Sequence, residues 1–323
     1  MSTKVRAPLL AGARPVGHAG DRVFQGVTTA VAAVVMVVLL VMTAFLLVRS
    51  WPAIRTAGGG FLTEQQWFPD ATPARFGIAA LVWGTLLSSA LALVVAVPVA
   101  LGSALYVTEY AQAAVGRWIG YLVDVLAAVP SVVYGLWGLL FLVPRMVPAQ
   151  RFLADHLGFV PFFRNPDDVY GKSIFAASVV LALMVLPIVA AVSREVFRQV
   201  PQDLREAALA LGATRWEVIR TSVLPASRSG VVGAVILGLG RALGETIAVA
   251  LVLAATFDVK VRVLEPGGNT IAANIATKFG EAGEVGRSAL IASGLVLFAI
   301  TLAATVAARG VIRRTSRATV GRP

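Results

Sequence analysis

Long apolar stretches separated by short charged ones dominate the chain. Six runs rich in Ala, Val, Leu and Ile are each long enough to cross ~30 Å of hydrocarbon as a helix. They lie near residues 26–48, 78–107, 119–143, 174–192, 230–254 and 288–308. The pattern predicts an all-α, polytopic membrane protein with six transmembrane helices. A basic segment precedes the first run, as in a signal peptide. Its length, and the Arg49-Ser50-Trp51-Pro52 that follows in place of a small-residue cleavage site, argue for a retained helix.

Composition agrees. Of 323 residues, 58% are hydrophobic and 14% charged, whereas a soluble domain carries about 25% charged residues. Cysteine is absent, which excludes disulfides, thiolate ligands and a cysteine nucleophile. The two histidines, His18 and His156, lie outside the apolar runs, so no metal site is expected. The net charge of +11 follows topology and does not call for a nucleic-acid partner. With both ends inside, the inner segments carry a net +10 and the outer loops +2. The positive-inside rule therefore predicts both termini in the cytoplasm. The expected organisation is a basic N-terminal segment over 1–25, a six-helix domain over 26–308 and a basic tail over 309–323. The outer loops are long enough to contact an external partner.

The inner connection at 194–228 is the most structured of the polar segments. Pro201 suits a first helical turn, and Asp203 complements the positive end of that helix. Leu204, Ala207, Ala208 and Leu211 then make a small apolar stripe. Gly212 stands where a left-handed cap would end the helix. Thr214 and Glu217 fit a capping box for a second short helix carrying Trp216, Ile219 and Val223 on one face, which Pro225 stops. Two readings fit this helix pair: an interfacial element lying among lipid headgroups, or a docking knob whose Ala207 and Ala208 allow a cytoplasmic partner to approach closely.

Glu206-Ala207-Ala208, Gly212 and Leu224-Pro225 keep the spacing of the EAA loop, and the segment resembles that loop in ATP-binding-cassette importer permeases. Ser222 departs from the family's isoleucine. Residues 84–111, 126–144, 240–249 and 294–309 extend the similarity to the phosphate-importer permeases, with PSVVYGLWG (130–138) resembling their C-type subunit. The resemblance covers about residues 60–312. It implies the type I importer permease fold, a bacterial plasma-membrane location, and a heterodimer with a second six-helix permease subunit. It also implies a cytoplasmic ATPase dimer that binds ATP and magnesium, an external phosphate-binding protein, and coupling through Glu206, Ala207, Ala208, Gly212, Leu224 and Pro225. No cofactor or catalytic residue is expected in this chain.

Arg241 and Glu245 interrupt the fifth run, where an ionised side chain costs at least ~3 kcal/mol. On a continuous helix they would lie one turn apart and pair. Gly240 and Gly244 would allow a neighbouring helix to approach. A structural ion pair and a translocation-path pair both fit. Arginine offers a planar fork matched to phosphate oxygens, and the corresponding Arg and Glu are implicated in transport in the resembled family. The expected mechanism is exchange: Glu245 neutralises Arg241 until an entering phosphate displaces it. Asp124 is expected to snorkel to the interface, and Pro98, Pro130 and Pro187 to kink their spans.

Gly171-Lys172-Ser173 resembles the end of a P-loop, but Pro166 replaces the required glycine and the segment is placed outside. Sulfate or molybdate permeases are the competing class, since they carry a similar Arg-Glu pattern. An ion-coupled secondary transporter is a further alternative, although it would have no use for the 201–225 segment.

Overall fold

A computed structural model of the chain describes residues 18–320. Most of the basic N-terminal segment, and the side chains of the tail from 311 onward, lie outside the described residues. By internal packing the chain divides at Val48–Arg49. The first unit is a length of helix α1 (His18–Ala57), apolar and exposed around its circumference from Val23 to Val48. A helix apolar on every side is suited to lipid.

The second unit contains the rest. After α1, a 3-10 turn (Gly58–Leu62) leads to a two-residue hairpin, β1 (Trp67–Phe68) against β2 (Arg75–Phe76), a small departure from the all-α expectation. Next come α2 (Ala79–Leu105), closed by a π turn at Tyr106–Tyr110, and α3 (Ala113–Ala128). Helix α4 (Ser131–Trp137) continues through a π turn at Gly138–Leu142 into α5 (Val143–Leu157). The chain then forms α6 (Ile174–Arg198), α7 (Gln202–Ala210), α8 (Arg215–Val218), α9 (Leu224–Gly244) and α10 (Ile247–Val252). Helices α11 (Ile271–Lys278) and α12 (Glu284–Val320) complete it. Among the described residues, six helical stretches are long and apolar enough to cross a membrane: 20–62, 79–110, 131–157, 174–198, 215–244 and 284–310.

The core is built on small residues. Ala92, Ala96, Ala100 and Ala104 of α2 are buried, and α6 is the most enclosed span, with Val180, Leu181, Met184, Val185 and Val189 all inside. Small residues let backbones approach closely where lipid supplies no hydrophobic force between helices. At Gly238 of α9 any Cβ would come within 2.8 Å of Val185 and Val189. At the start of α12, Asp70 caps the helix: its two oxygens accept the backbone N–H groups of Gly283 and Gly286, each at 2.9 Å.

Three expectations are corrected. The 119–143 run is not one span, because Pro130 forces Val129 out of the helical region (φ −63°, ψ 130°). The third span is 131–157, and Pro130 stands immediately before a new helix, whereas Pro98 and Pro187 do lie inside their helices. The 230–254 run breaks at Glu245, whose backbone is extended (φ −68°, ψ 129°). Finally, Pro225 does not end a separate short helix. A π turn at Ile219–Val223 joins α8 to α9, and Pro225 falls in the first turn of α9. The shifted hydrogen-bond register absorbs the missing N–H and the bulk of the ring.

Candidate functional site

The two helix breaks face one another. Ala127–Ser131, between α3 and α4, and Gly240, Arg241, Gly244 and Glu245, at the end of α9, line a cleft of about 450 Å³. What brings them together is the packing of α4 on α10. Gly135 lies so close that a Cβ there would sit 2.7 Å from the Ala248 Cα, and Gly138 meets Val252. Tyr134 bridges the α3–α4 break by donating its hydroxyl to the Leu126 carbonyl at 2.9 Å.

Arg241 and Glu245 share this cleft, but among the described residues they form no ion pair. The expected self-neutralised pair is therefore corrected. Because α9 ends at Gly244, Glu245 leaves the helical face on which Arg241 stands. Each charge instead complements a helix end. Arg241 occupies the last turn of α9, at its negative pole. Glu245, 9% exposed, accepts the Ala248 N–H at 3.4 Å at the positive pole of α10. The Arg241 Nε is buried without a hydrogen-bond partner, so the guanidinium retains donor capacity.

The opposite wall adds to this. Pro130 precedes α4 with no side-chain cap, and α4 begins a helical stretch running to Leu157. The positive pole of that stretch opens on the cleft beside Arg241, an arrangement suited to an anion. Gly240 and Gly244 have open space where a Cβ would stand. They border the cleft and do not seat a neighbouring helix of this chain, contrary to expectation.

Sequence reasoning missed Ala127–Ser131 as a wall of this site. The signal was present in Val129-Pro130-Ser131, a dipeptide that resists helix followed by a residue common at helix starts. It was obscured because the apolar run continues through it.

The predicted docking segment also acquires geometry. Gly212 has φ +83°, the left-handed cap expected. The capping box forms, with the Glu217 N–H donated to Thr214 Oγ1 at 3.4 Å and the Thr214 N–H donated to Glu217 Oε2 at 2.7 Å. Glu206, Ala207 and Pro225 are exposed. Ala208 and Leu224 pack against one buried cluster of Ala104, Phe197, Val200, Val218 and Val223. The expected Trp216–Ile219–Val223 face divides: Ile219 and Val223 are buried, while Trp216 joins Leu204, Leu209 and Leu211 at the surface. Asp124, expected to snorkel, is half exposed and is held by Arg194 at 3.0 Å. Ser173 of the discounted Gly-Lys-Ser segment is buried as the cap of α6.

Comparison with known proteins agrees with this architecture. Residues 96–317 match the family described as binding-protein-dependent transport system inner membrane component. The chain is 45% identical over 296 residues to the phosphate transport system permease protein PstC 2 of Mycobacterium tuberculosis, covering 90% of this chain and 91% of that protein. It is 39% identical to the PstC protein of Haemophilus influenzae, covering 91% and 93%. The crystal structure of a bacterial ABC transporter that imports the acidic polysaccharide alginate shares the fold, with a TM-score of 0.55 at 18% identity, covering 89% of this chain and 98% of that one. The chain belongs to the family of binding-protein-dependent transport system inner membrane components.

Proposed function

We propose that this chain is the permease subunit of an ATP-driven importer of inorganic phosphate, moving the anion by alternating access while a separate ATPase chain hydrolyses ATP. Relatives named as phosphate transport permeases, similar over nine-tenths of the chain, support the substrate and the transport class. Family membership implies association with an ATPase and a binding protein. The observation that carries the local mechanism is the cleft in which Arg241 presents an unpartnered Nε beside the uncapped start of α4.

In this reading Arg241 receives a phosphate oxygen through its guanidinium. Glu245 is already engaged by the α10 backbone, so it opposes the anion as a nearby negative charge and keeps its stay short. Exchange of a paired carboxylate for phosphate is not required. Glu206, Ala207, Ala208 and Gly212 present α7 to the ATPase, and the exposed Leu204, Leu209, Leu211 and Trp216 supply the apolar contact. Leu224 and Pro225 lead that surface into the fifth span. A second six-helix subunit completes the path, the ATPase acts as a dimer, and a phosphate-binding protein delivers substrate from outside. The charge asymmetry of the loops supports cytoplasmic termini.

The test is uptake of radiolabelled phosphate into proteoliposomes holding the assembled transporter and its binding protein. ATP-dependent uptake, lost when the ATPase is omitted and unaffected by excess sulfate or molybdate, is the expected result. Uptake driven by an ion gradient without the ATPase, or competition by sulfate, would overturn it.

A further inference from the structure

Helix α7 is attached to the rest of the protein by little. Among its nine residues only Arg205 and Ala208 have side chains that are not exposed. Ala208 rests on the buried cluster around Phe197, while Arg205 makes directed bonds. Its Nη1 donates to the Val200 carbonyl at 2.6 Å. Its Nη2 donates to the Phe197 carbonyl at 2.7 Å and to Glu109 Oε1 at 3.1 Å.

These acceptors lie on three different parts of the chain. Phe197 is in the last turn of α6, Val200 is in the linker between α6 and α7, and Glu109 is in the π turn that closes α2. The guanidinium therefore spans the corner between α6 and α7 and fastens it to the end of α2. Both partners of the ion pair are largely enclosed, at 16% and 11% side-chain exposure. An enclosed pair is a poor device for stability, because desolvation offsets most of the attraction, but its directed bonds hold one geometry.

We propose that Arg205 is a positioning residue that locks the α6–α7 corner to α2, so that displacement of the exposed α7 face passes into those two spans. Without it, the Gln199–Pro201 linker absorbs the displacement. This inference rests on the proposed role of α7 as the surface that meets the ATPase.

The experiment uses the complete transporter in proteoliposomes, with ATP hydrolysis and phosphate uptake measured on the same preparation. In Arg205→Ala, subunit co-purification stays normal and hydrolysis persists within about twofold, while uptake falls about tenfold, the scale of one charge-assisted hydrogen bond. The ATP consumed per phosphate then rises about tenfold. Arg205→Lys, which keeps the charge but replaces the planar two-nitrogen fork with a single ammonium, and Glu109→Gln raise the ratio about threefold each. They decide the matter should Arg205→Ala fail to assemble.

An unchanged ratio overturns the proposal, whether both activities persist or both fall together as a structural role would make them. A wild-type transporter with no ATP-dependent phosphate uptake would instead remove the functional reading, and this inference with it.

Discussion

Arg194 on α6 grips Asp124 on α3 across the bare backbone of Gly120, its Nη2 lying 3.0 Å and 3.2 Å from the two carboxylate oxygens. Helix α3 runs directly into the Ala127–Ser131 wall of the cleft. The contact therefore fixes the α3 side of that wall to the most buried of the described spans. Asp124→Asn leaves a guanidinium that is 14% exposed without its counter-charge. Because Asp124 itself is half exposed, the expected loss is about 1 kcal/mol. It is checked as a drop of a few degrees in the melting temperature of the purified complex.

Separate roles for Arg241 and Glu245 imply unequal effects on transport. Arg241→Gln removes the charged fork from the cleft and should lower phosphate uptake about ten- to a hundredfold, the scale of one or more charge-assisted bonds. Glu245→Gln keeps an oxygen able to accept the Ala248 N–H and should lower uptake no more than about threefold. Uptake measured at matched expression checks both. Wild-type rates in Arg241→Gln would take the guanidinium out of the path.

The close contact of α4 with α10 makes Gly135 intolerant of any side chain. A Cβ there would lie 2.7 Å from the Ala248 backbone, so one of the two helices must move. Gly135→Ala is expected to destabilise by about 1–3 kcal/mol and to reduce uptake, since the shift opens the cleft wall. Thermal unfolding and uptake of that single variant, read together, check the expectation.

Asp70 caps α12 from more than two hundred residues away in the chain. Asp70→Ala leaves the Gly283 and Gly286 N–H groups without that acceptor and should cost about 1 kcal/mol. Asp70→Asn, with one oxygen remaining, should lose roughly half as much. The order of melting temperatures, wild type above Asn above Ala, is the check.

The spans were legible because apolar composition over twenty residues survives almost any local detail. The breaks were not. Val129–Pro130 and Gly244–Thr246 lie inside runs that stay apolar on average, so mean hydropathy passes over both, and the backbone angles show where each helix ends. Pairing of Arg241 with Glu245 followed from a spacing rule that holds on a continuous helix, and the helix stops between them. Local polar signals fared better: the Thr214–Glu217 box and the Gly212 cap depend on neighbours within a few residues. Arg205 and Glu109 are 96 positions apart, so nothing in either segment announced the other.

The π turn ahead of Pro225 joins α8 to α9 without a flexible joint. Arg241 stands sixteen residues beyond Pro225, about 24 Å along the axis at 1.5 Å per residue. The same rod that begins at the rim of the proposed docking surface thus ends at the guanidinium. Rocking its foot by a few degrees would swing Arg241 by an ångström or more, enough to offer a hydrogen bond or withdraw it. On the proposed function, this lever would carry work done outside the membrane to a single side chain within it.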